Sequence, residues 1–254
     1  MTITESKTNL VNVFGYTKRV KQNGFCTEYL DDMNQYAELQ TTSNFSFLRG
    51  AAHPEELVTR AAEQNLNAIA ITDHNTIDGA LEAKRIFGTS VIIGEEIKSL
   101  GGEIIGLYLQ ECIPKDLSAL DTVKRIKDQG GLVSIPHPFD YFRKSVIDRS
   151  SLEEILGYID IVESFNARNT LKKSNMKALA FATSNHIISS AVSDSHTLME
   201  IGRTYMNVPQ FDGTPIGLME SLESAELICR PINPMIHVLT TMTKIMKRLK
   251  VKKY

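Results

Sequence analysis

The sequence lacks several features that would place it in a specialised class of protein. It has no tryptophan, and its three cysteines, Cys26, Cys112 and Cys229, show no spacing typical of a disulfide framework or a metal knuckle. No apolar run is as long as a membrane span, and the first twenty residues lack the basic and then apolar order of a secretory signal. We therefore expect a cytoplasmic protein.

The composition that remains is that of an ordinary globular chain. Its 254 residues, 42% of them hydrophobic and 23% charged, suffice for one large domain. Residues 1–33 show no strong periodicity, so we expect an N-terminal extension there and the domain over residues 34–254. The net charge of −2 argues against a surface that binds nucleic acid throughout, although residues 244–254 carry six lysines and arginines and no acid.

Short apolar runs alternate with amphipathic segments over most of the chain. Strands are predicted from Tyr36 onwards and near residues 67–72, 90–94, 101–109, 132–135, 159–164 and 187–193. Helices are predicted near residues 53–65, 77–87, 117–129, 151–157 and 170–183. This alternation predicts a parallel sheet covered by helices, either a barrel or a doubly wound open sheet. No strand is followed by a glycine-rich nucleotide motif, which disfavours the nucleotide-binding open sheet.

Acidic and histidine residues follow five of the predicted strands. They are Asp73 and His74, Glu95 and Glu96, His137, Glu163, and the triplet Asp194, Ser195 and His196. One such residue is more often a helix cap than a ligand, but the carboxyl ends of parallel barrel strands all meet on one face. Carboxylates and neutral imidazoles are ligands of Zn²⁺, Mn²⁺ and Fe²⁺. The sequence therefore predicts a polynuclear metal site.

These motifs resemble those of the PHP (polymerase and histidinol phosphatase) superfamily, especially its stand-alone phosphoesterases. The matching segments are IAITDHNTIDG, VIIGEEI, GGLVSIPHPF, VESFNAR and AVSDSHTLMEIGRTY, and the resemblance covers about residues 36–208. The first motif, in YAELQTTSNFSFLRGAAHPEELV, is most similar to the PHP region of error-prone DNA polymerases.

The resemblance implies an α/β fold, a distorted (β/α)7 TIM-like barrel with up to three metal ions at the C-terminal ends of the strands. It carries metal-ligand positions onto His74, Glu96, His137, Asp194 and His196. Other positions depart from the family pattern: Glu38 and Gln40 replace a histidine pair, and Ile105 stands where a histidine is common. The acidic or histidine ligand expected shortly after the first pair is also missing, at residues 44–46. Glu38 can still bind a hard cation. We therefore expect one or two divalent ions, Mn²⁺, Zn²⁺ or Fe²⁺.

The function that the resemblance implies is metal-dependent hydrolysis of a phosphomonoester or of a nucleotide or oligonucleotide phosphate. Asp194 would hold metal, and His137 or His196 could instead protonate the leaving group. Arg143, Arg168 and Arg203 lie near the motifs and could bind the phosphate of the substrate.

Two other functions remain open from the sequence. The changed first motif is compatible with a degenerate, non-catalytic PHP domain that serves as a structural or binding module. The basic tail follows an apolar stripe between Met235 and Leu249, which predicts an amphipathic helix and weak contact with nucleic acid. A solvated helix end with cations near its C-terminus is the simpler interpretation of that tail.

Overall fold

The computed structural model describes residues 34–46, 50 and 52–232, and the backbone of residues 9–13 and 16–20. The chain divides into two units, Met1–Met33 and Asn34–Tyr254. In the first unit, strands β1 (Asn9–Val13) and β2 (Tyr16–Val20) pair as an antiparallel hairpin, where the sequence predicted no periodic element. The predicted C-terminal helix and the basic tail lie outside the described residues.

The second unit contains nine strands and six helices among its described residues. The strands are β3 (Asn34–Thr41), β4 (Ala68–His74), β5 (Val91–Ser99), β6 (Gly102–Leu107), β7 (Leu132–Ile135), β8 (Ile161–Asn166), β9 (Ile188–Val192), β10 (Tyr205–Pro209) and β11 (Glu226–Ile228). The helices are α1 (Pro54–Glu63), α2 (Asp78–Phe87), α3 (Ala119–Asp128), α4 (Arg149–Glu154), α5 (Lys172–Ser184) and α6 (Pro215–Leu222). Every element predicted between Tyr36 and residue 193 is confirmed, whereas β10, α6 and β11 were not predicted.

Seven of these strands form the predicted barrel. The sheet order is β11-β10-β3-β4-β5-β6-β7-β8-β9. The two ends of the run from β3 to β9 meet where Thr41 forms a parallel bridge with Ser195, and Thr42 N–H donates to the Ser195 carbonyl at 2.9 Å. The sheet is thus a nearly closed barrel, and the prediction of a distorted seven-stranded TIM-like barrel is confirmed.

The expectation of a parallel sheet is wrong at three strands: β10 pairs antiparallel with β3 and with β11, and β6 is the antiparallel strand inside the barrel. β6 pairs antiparallel with both β5 and β7. Only Leu100 and Gly101 separate β5 from β6, and a parallel connection would need a crossover of a dozen or more residues. The start of β6 therefore lies beside the end of β5. We call the end of the barrel where β5 ends its open end.

The helices cover the outside of this sheet through their apolar faces. In α1, Pro54 occupies the first turn, and Leu57 and Ala61 are buried against Ile69 and Ile71 of β4. A second buried cluster packs α3, α4 and α5 against β5 to β8. Within the described part of the chain, no helix is long and apolar enough to cross a bilayer.

The start of α3 offers a test of this local structure. The Ser118 hydroxyl accepts a hydrogen bond from Asp121 N–H at 3.0 Å and so caps the helix. We expect Ser118→Ala to lower the free energy of unfolding by about 1 kcal/mol, because one helix N–H loses its partner. Urea denaturation measures this change, with Ser184→Ala at the exposed end of α5 as the matched control. Equal stability of the two variants would contradict the cap.

Candidate metal centre

Two histidines and two glutamates meet at the open end of the barrel. We call His74, Glu96, Glu103 and His137 the His/Glu cluster. Glu96 lies between the imidazoles: its Oε2 is 3.4 Å from His74 Nε2 and its Oε1 is 3.4 Å from His137 Nε2. Glu103 completes the cluster, with its carboxylate 3.7 Å from His74 Nδ1 and 3.6 Å from His137 Nε2.

Four strands bring these side chains together. His74 is the last residue of β4, and it pairs in register with Glu96 on β5. Glu103 is the second residue of β6, and the hairpin with β5 places it beside Lys98. His137 follows β7 with a backbone φ of 32°, which costs conformational energy in a residue other than glycine. The Glu163 carboxylate holds this turn, because it accepts a hydrogen bond from His137 N–H at 2.9 Å.

Burial controls the protonation of the cluster. His137 is fully buried, and this burial, followed by the nearby charge of Arg143, lowers its pKa to about 4. The imidazole is therefore neutral at physiological pH, as a metal ligand must be. Burial also raises the pKa of Glu103, and the adjacent charge of Glu96 adds to the rise.

A second group of polar side chains lies next to the His/Glu cluster. We call Asp194, His196, Arg143 and Asn166 the Asp194 group. Arg143 Nη2 and Asn166 Nδ2 both donate to Asp194 Oδ2. His196 Nδ1 lies 2.8 Å from the backbone carbonyl oxygen of Asp194 and 3.6 Å from its Oδ1. Burial acts to raise the pKa of Asp194, but Arg143 and then His196 outweigh it, so that this pKa lies below its usual range.

Glu38 and Gln40 are both fully buried, but they reach different partners. The Glu38 carboxylate accepts hydrogen bonds from Ser193 Oγ and from Gly202 N–H, away from the His/Glu cluster. Gln40 Nε2 lies 3.5 Å from Glu96 Oε2. The pairing of β3 with β4 shifts register between Glu38 and Thr41, and such an irregularity re-aims neighbouring side chains. Glu38 as a metal ligand therefore stays a prediction, without support from these contacts.

The three arginines predicted from the sequence to bind phosphate lie in different environments. Arg143 contacts Asp194 as described above. Arg168 is 7% exposed and forms a 2.5 Å ion pair with Glu200, which also accepts from His196 N–H at 3.0 Å. Arg203 is exposed on the loop before β10.

Sequence reasoning missed Glu103 and Glu200. Glu103 was overlooked in favour of Ile105, two residues on, whose side chain is buried in apolar surroundings. The two-residue gap between β5 and β6 was the signal that could have found it, because a hairpin brings the start of the second strand beside the end of the first.

Asp73 has a structural role and holds the loop that follows β3. Its carboxylate accepts hydrogen bonds from Ser43 N–H at 2.7 Å and from Ser46 Oγ at 2.8 Å.

The donor set of the His/Glu cluster fits a divalent metal ion. One ligand atom from each of His74, Glu96 and Glu103 lies within 4.8 Å of the others. Two atoms bound to one tetrahedral ion at about 2.1 Å lie about 3.4 Å apart, which is the spacing of Glu96 Oε2 from His74 Nε2 and of Glu96 Oε1 from His137 Nε2. Within the described residues, the buried atoms His137 Nδ1 and Asp194 Oδ1 have no hydrogen-bond partner.

Glu95 points away from this cluster, and its environment predicts a pH dependence of stability. It is fully buried, its carboxylate accepts from Ile113 N–H at 2.8 Å, and burial raises its pKa to about 7 from 4.5. Between these two pH values the unfolded chain releases a proton that the folded chain retains. We therefore expect the free energy of unfolding to fall as pH rises through this interval, by at most about 1.4 kcal/mol per pH unit.

Urea denaturation from pH 5 to pH 8 measures this contribution of Glu95. Glu95→Gln cannot titrate, so its stability relative to the wild type should improve as pH rises. Parallel stability curves for the two proteins would contradict the prediction.

Family models place the chain among known proteins. A PHP domain model matches residues 38–168, and a PHP-associated model matches residues 172–227. The chain therefore belongs to the PHP domain family.

An uncharacterized protein of Methanocaldococcus jannaschii is 40% identical over 136 residues, which span 52% of this chain and 77% of that protein. A second protein of the same organism is 35% identical over 146 residues, 56% of this chain and 58% of its own length. An error-prone DNA polymerase of Ruegeria pomeroyi is 62% identical over 48 residues, 19% of this chain and 4% of the polymerase.

Solved structures share the fold at low sequence identity. A Bacteroides vulgatus protein, described as containing a predicted PHP-like metal-dependent phosphoesterase, superimposes with a TM-score of 0.64 at 16% identity, over 91% of this chain and 70% of its own. A lesion-specific endonuclease of Pyrococcus furiosus gives a TM-score of 0.56 at 13% identity, over 77% of this chain and 58% of its own.

Proposed function

We propose that this protein is a metal-dependent phosphoesterase that hydrolyses a phosphomonoester or a nucleotide or oligonucleotide phosphate, in the cytoplasm. The observation that carries the proposal is the His/Glu cluster, whose nitrogen and oxygen atoms converge at ligand spacing beside the guanidinium of Arg143. A divalent ion held there supplies a bound water of lowered pKa and a Lewis acid for the phosphoryl oxygen.

The residues around the cluster have separate roles in this proposal. His137 Nε2 faces Glu96 and Glu103, and we assign it the role of a metal ligand. His196 Nδ1 faces a carbonyl oxygen, which only accepts, so Nδ1 bears the proton and Nε2 keeps its lone pair. We assign proton transfer during hydrolysis to that Nε2, and binding of the phosphate to Arg143. Arg168 supports His196 through Glu200.

An exposed aromatic pair favours a nucleotide over a simple phosphate ester. Tyr141 and Phe142 directly precede Arg143, are 81% and 62% exposed, and have ring centroids 5.4 Å apart. The Asp140 carboxylate fixes this turn, because it accepts from Phe142 N–H at 3.0 Å and from Arg143 Nε at 3.1 Å. Aromatic faces of this kind stack on nucleobases. A structure of Endonuclease Q, which shares the fold, contains a 27-mer duplex substrate.

We expect Tyr141→Ala to raise KM for a nucleoside monophosphate about tenfold, because one base–aromatic stack contributes about 1–3 kcal/mol. KM for glycerol phosphate, which has no base, should not change. Steady-state kinetics on both substrates measure the difference, and Met176→Ala, which truncates another exposed apolar side chain, is the control. An equal change of KM for both substrates would contradict the assignment.

The proposal as a whole is tested by a substrate panel. Protein stripped with a chelator and reloaded with Mn²⁺ or Zn²⁺ is assayed on nucleoside monophosphates, glycerol phosphate and short oligonucleotides. Hydrolysis that vanishes on stripping and returns on loading supports the proposal. Loss of activity is also expected for His137→Ala, and activity that ignores both the metal and this variant would overturn it.

The second candidate is a non-catalytic PHP module, and Gln40 is the observation that favours it. Its amide links Glu96 at 3.5 Å to Asn166 at 3.4 Å, where the family pattern has an imidazole. If the native site is only a remnant, Gln40→His, alone or with Glu38→His, should create activity that the wild type lacks. Activity of the wild type itself in the panel would exclude this candidate.

A further inference from the structure

The guanidinium of Arg143 lies against the Asp194 carboxylate, where a second cation would have to bind. Its Nη2 donates to Asp194 Oδ2 and its Nε donates to Asp140 Oδ2 at 3.1 Å. The two carboxylates are 1% and 5% exposed, whereas the arginine side chain is 21% exposed and so reaches the cleft. One guanidinium therefore bridges two buried carboxylates at the rim of the site.

A metal ion at Asp194 would compete directly with this guanidinium. Asp194 Oδ2 already accepts from both Arg143 and Asn166. A divalent ion on the remaining oxygen, Oδ1, would lie beside the positive guanidinium, and the two like charges would repel. A guanidinium with five donors in a plane can itself bind both a carboxylate and a phosphate.

We propose that Arg143 takes the place of a second metal ion, so that the site works with one divalent ion in the His/Glu cluster and one guanidinium in the Asp194 group. This inference deepens the proposed phosphoesterase function and rests on it. The phosphoryl group of the substrate then lies between the ion and Arg143, and Asp194 and Asp140 serve to position the arginine. The roles of Asp194 as an arginine partner and of His196 in proton transfer follow from the same arrangement.

The number of bound ions tests this inference without any activity assay. Wild-type protein is stripped, loaded with Mn²⁺, freed of excess metal by gel filtration, and analysed for manganese and protein. We expect one ion per chain in the wild type, two in Arg143→Met and one in Arg143→Lys, which retains the positive charge. The exposed neighbour Lys144 provides the control variant Lys144→Met, for which one ion is expected. Zero or two ions in the wild type, or one ion in folded Arg143→Met, would overturn the inference.

A second measurement covers the case in which Arg143→Met does not fold. Anomalous diffraction from crystals of the Mn²⁺-loaded wild type should give one peak, at His74, Glu96, Glu103 and His137, with Arg143 still bound to Asp194. A second peak between Asp194 and His196, with Arg143 displaced, would overturn the inference. Either result leaves the hydrolysis panel undecided, so failure of the inference and failure of the proposed function can be told apart.

Discussion

Glu96→Gln is expected to lower kcat/KM for phosphoester hydrolysis by about 10³-fold, because a bound metal ion contributes several kcal/mol to transition-state stabilisation. Glu96 has the central place in the cluster, since its two oxygens face His74 and His137 at 3.4 Å each. Glutamine has nearly the same shape but carries no charge and offers one oxygen. The change therefore removes the carboxylate that lies between the two histidines while it preserves the packing around them.

Two measurements check this result together. Manganese content after loading should fall below one ion per chain, and the rate constants from the substrate panel should fall with it. Glu111→Gln is the matched control, because Glu111 is exposed and outside the cluster. Manganese content and rates within threefold of the wild type would show that Glu96 is not a ligand.

Arg168→Met is expected to lower the free energy of unfolding by about 3–5 kcal/mol, because it leaves a buried carboxylate without its cationic partner. Arg168 and Glu200 are 6% and 0% exposed in their side chains, and their ion pair is 2.5 Å long. Burial raises the pKa of Glu200, and Arg168 opposes that rise. Methionine keeps the unbranched aliphatic part of the side chain, so most of the loss comes from removal of the charged guanidinium.

Chemical denaturation with a double variant separates these effects. Arg168→Met combined with Glu200→Gln should recover part of the lost stability, since no buried charge remains. The surface pair Arg149 and Glu153, which is 91% and 64% exposed, is the control. Arg149→Met should cost far less stability than Arg168→Met, because a solvated ion pair contributes little. Equal losses for Arg168→Met and Arg149→Met would contradict the prediction.

Local patterns in the sequence were enough for most of the fold. The apolar run before His74 predicted strand β4, and the segment that begins with Pro54 predicted helix α1. Such patterns indicate the type of an element and its apolar face, because apolar residues recur at the period of a helix or a strand. The apolar pattern did not reveal that β6 runs antiparallel to its neighbours, because that direction follows from the short connection between β5 and β6 and not from periodicity.

For the candidate site, too, the sequence predicted some residues and only the structure showed the others. The residue types at the strand ends led to His74, Glu96 and His137, which lie together in the structure. Glu103 escaped notice because a parallel β6 would have put its first residues at the opposite end of the barrel. Glu38 was expected at the metal because side chains alternate along a strand, but the irregular pairing of β3 directs its carboxylate to Ser193 and Gly202.

The sequence by itself predicted an α/β fold with a histidine and carboxylate site, and its resemblance to the PHP superfamily implied the barrel, because residue types and the order of elements along the chain can be read from it directly. Only the tertiary structure decided which of those side chains meet. Glu103 joins the His/Glu cluster through a hairpin, and Arg143 reaches Asp194 across 51 residues of chain. Contacts of this kind depend on strand direction, register and backbone turns, which arise when distant segments pack together.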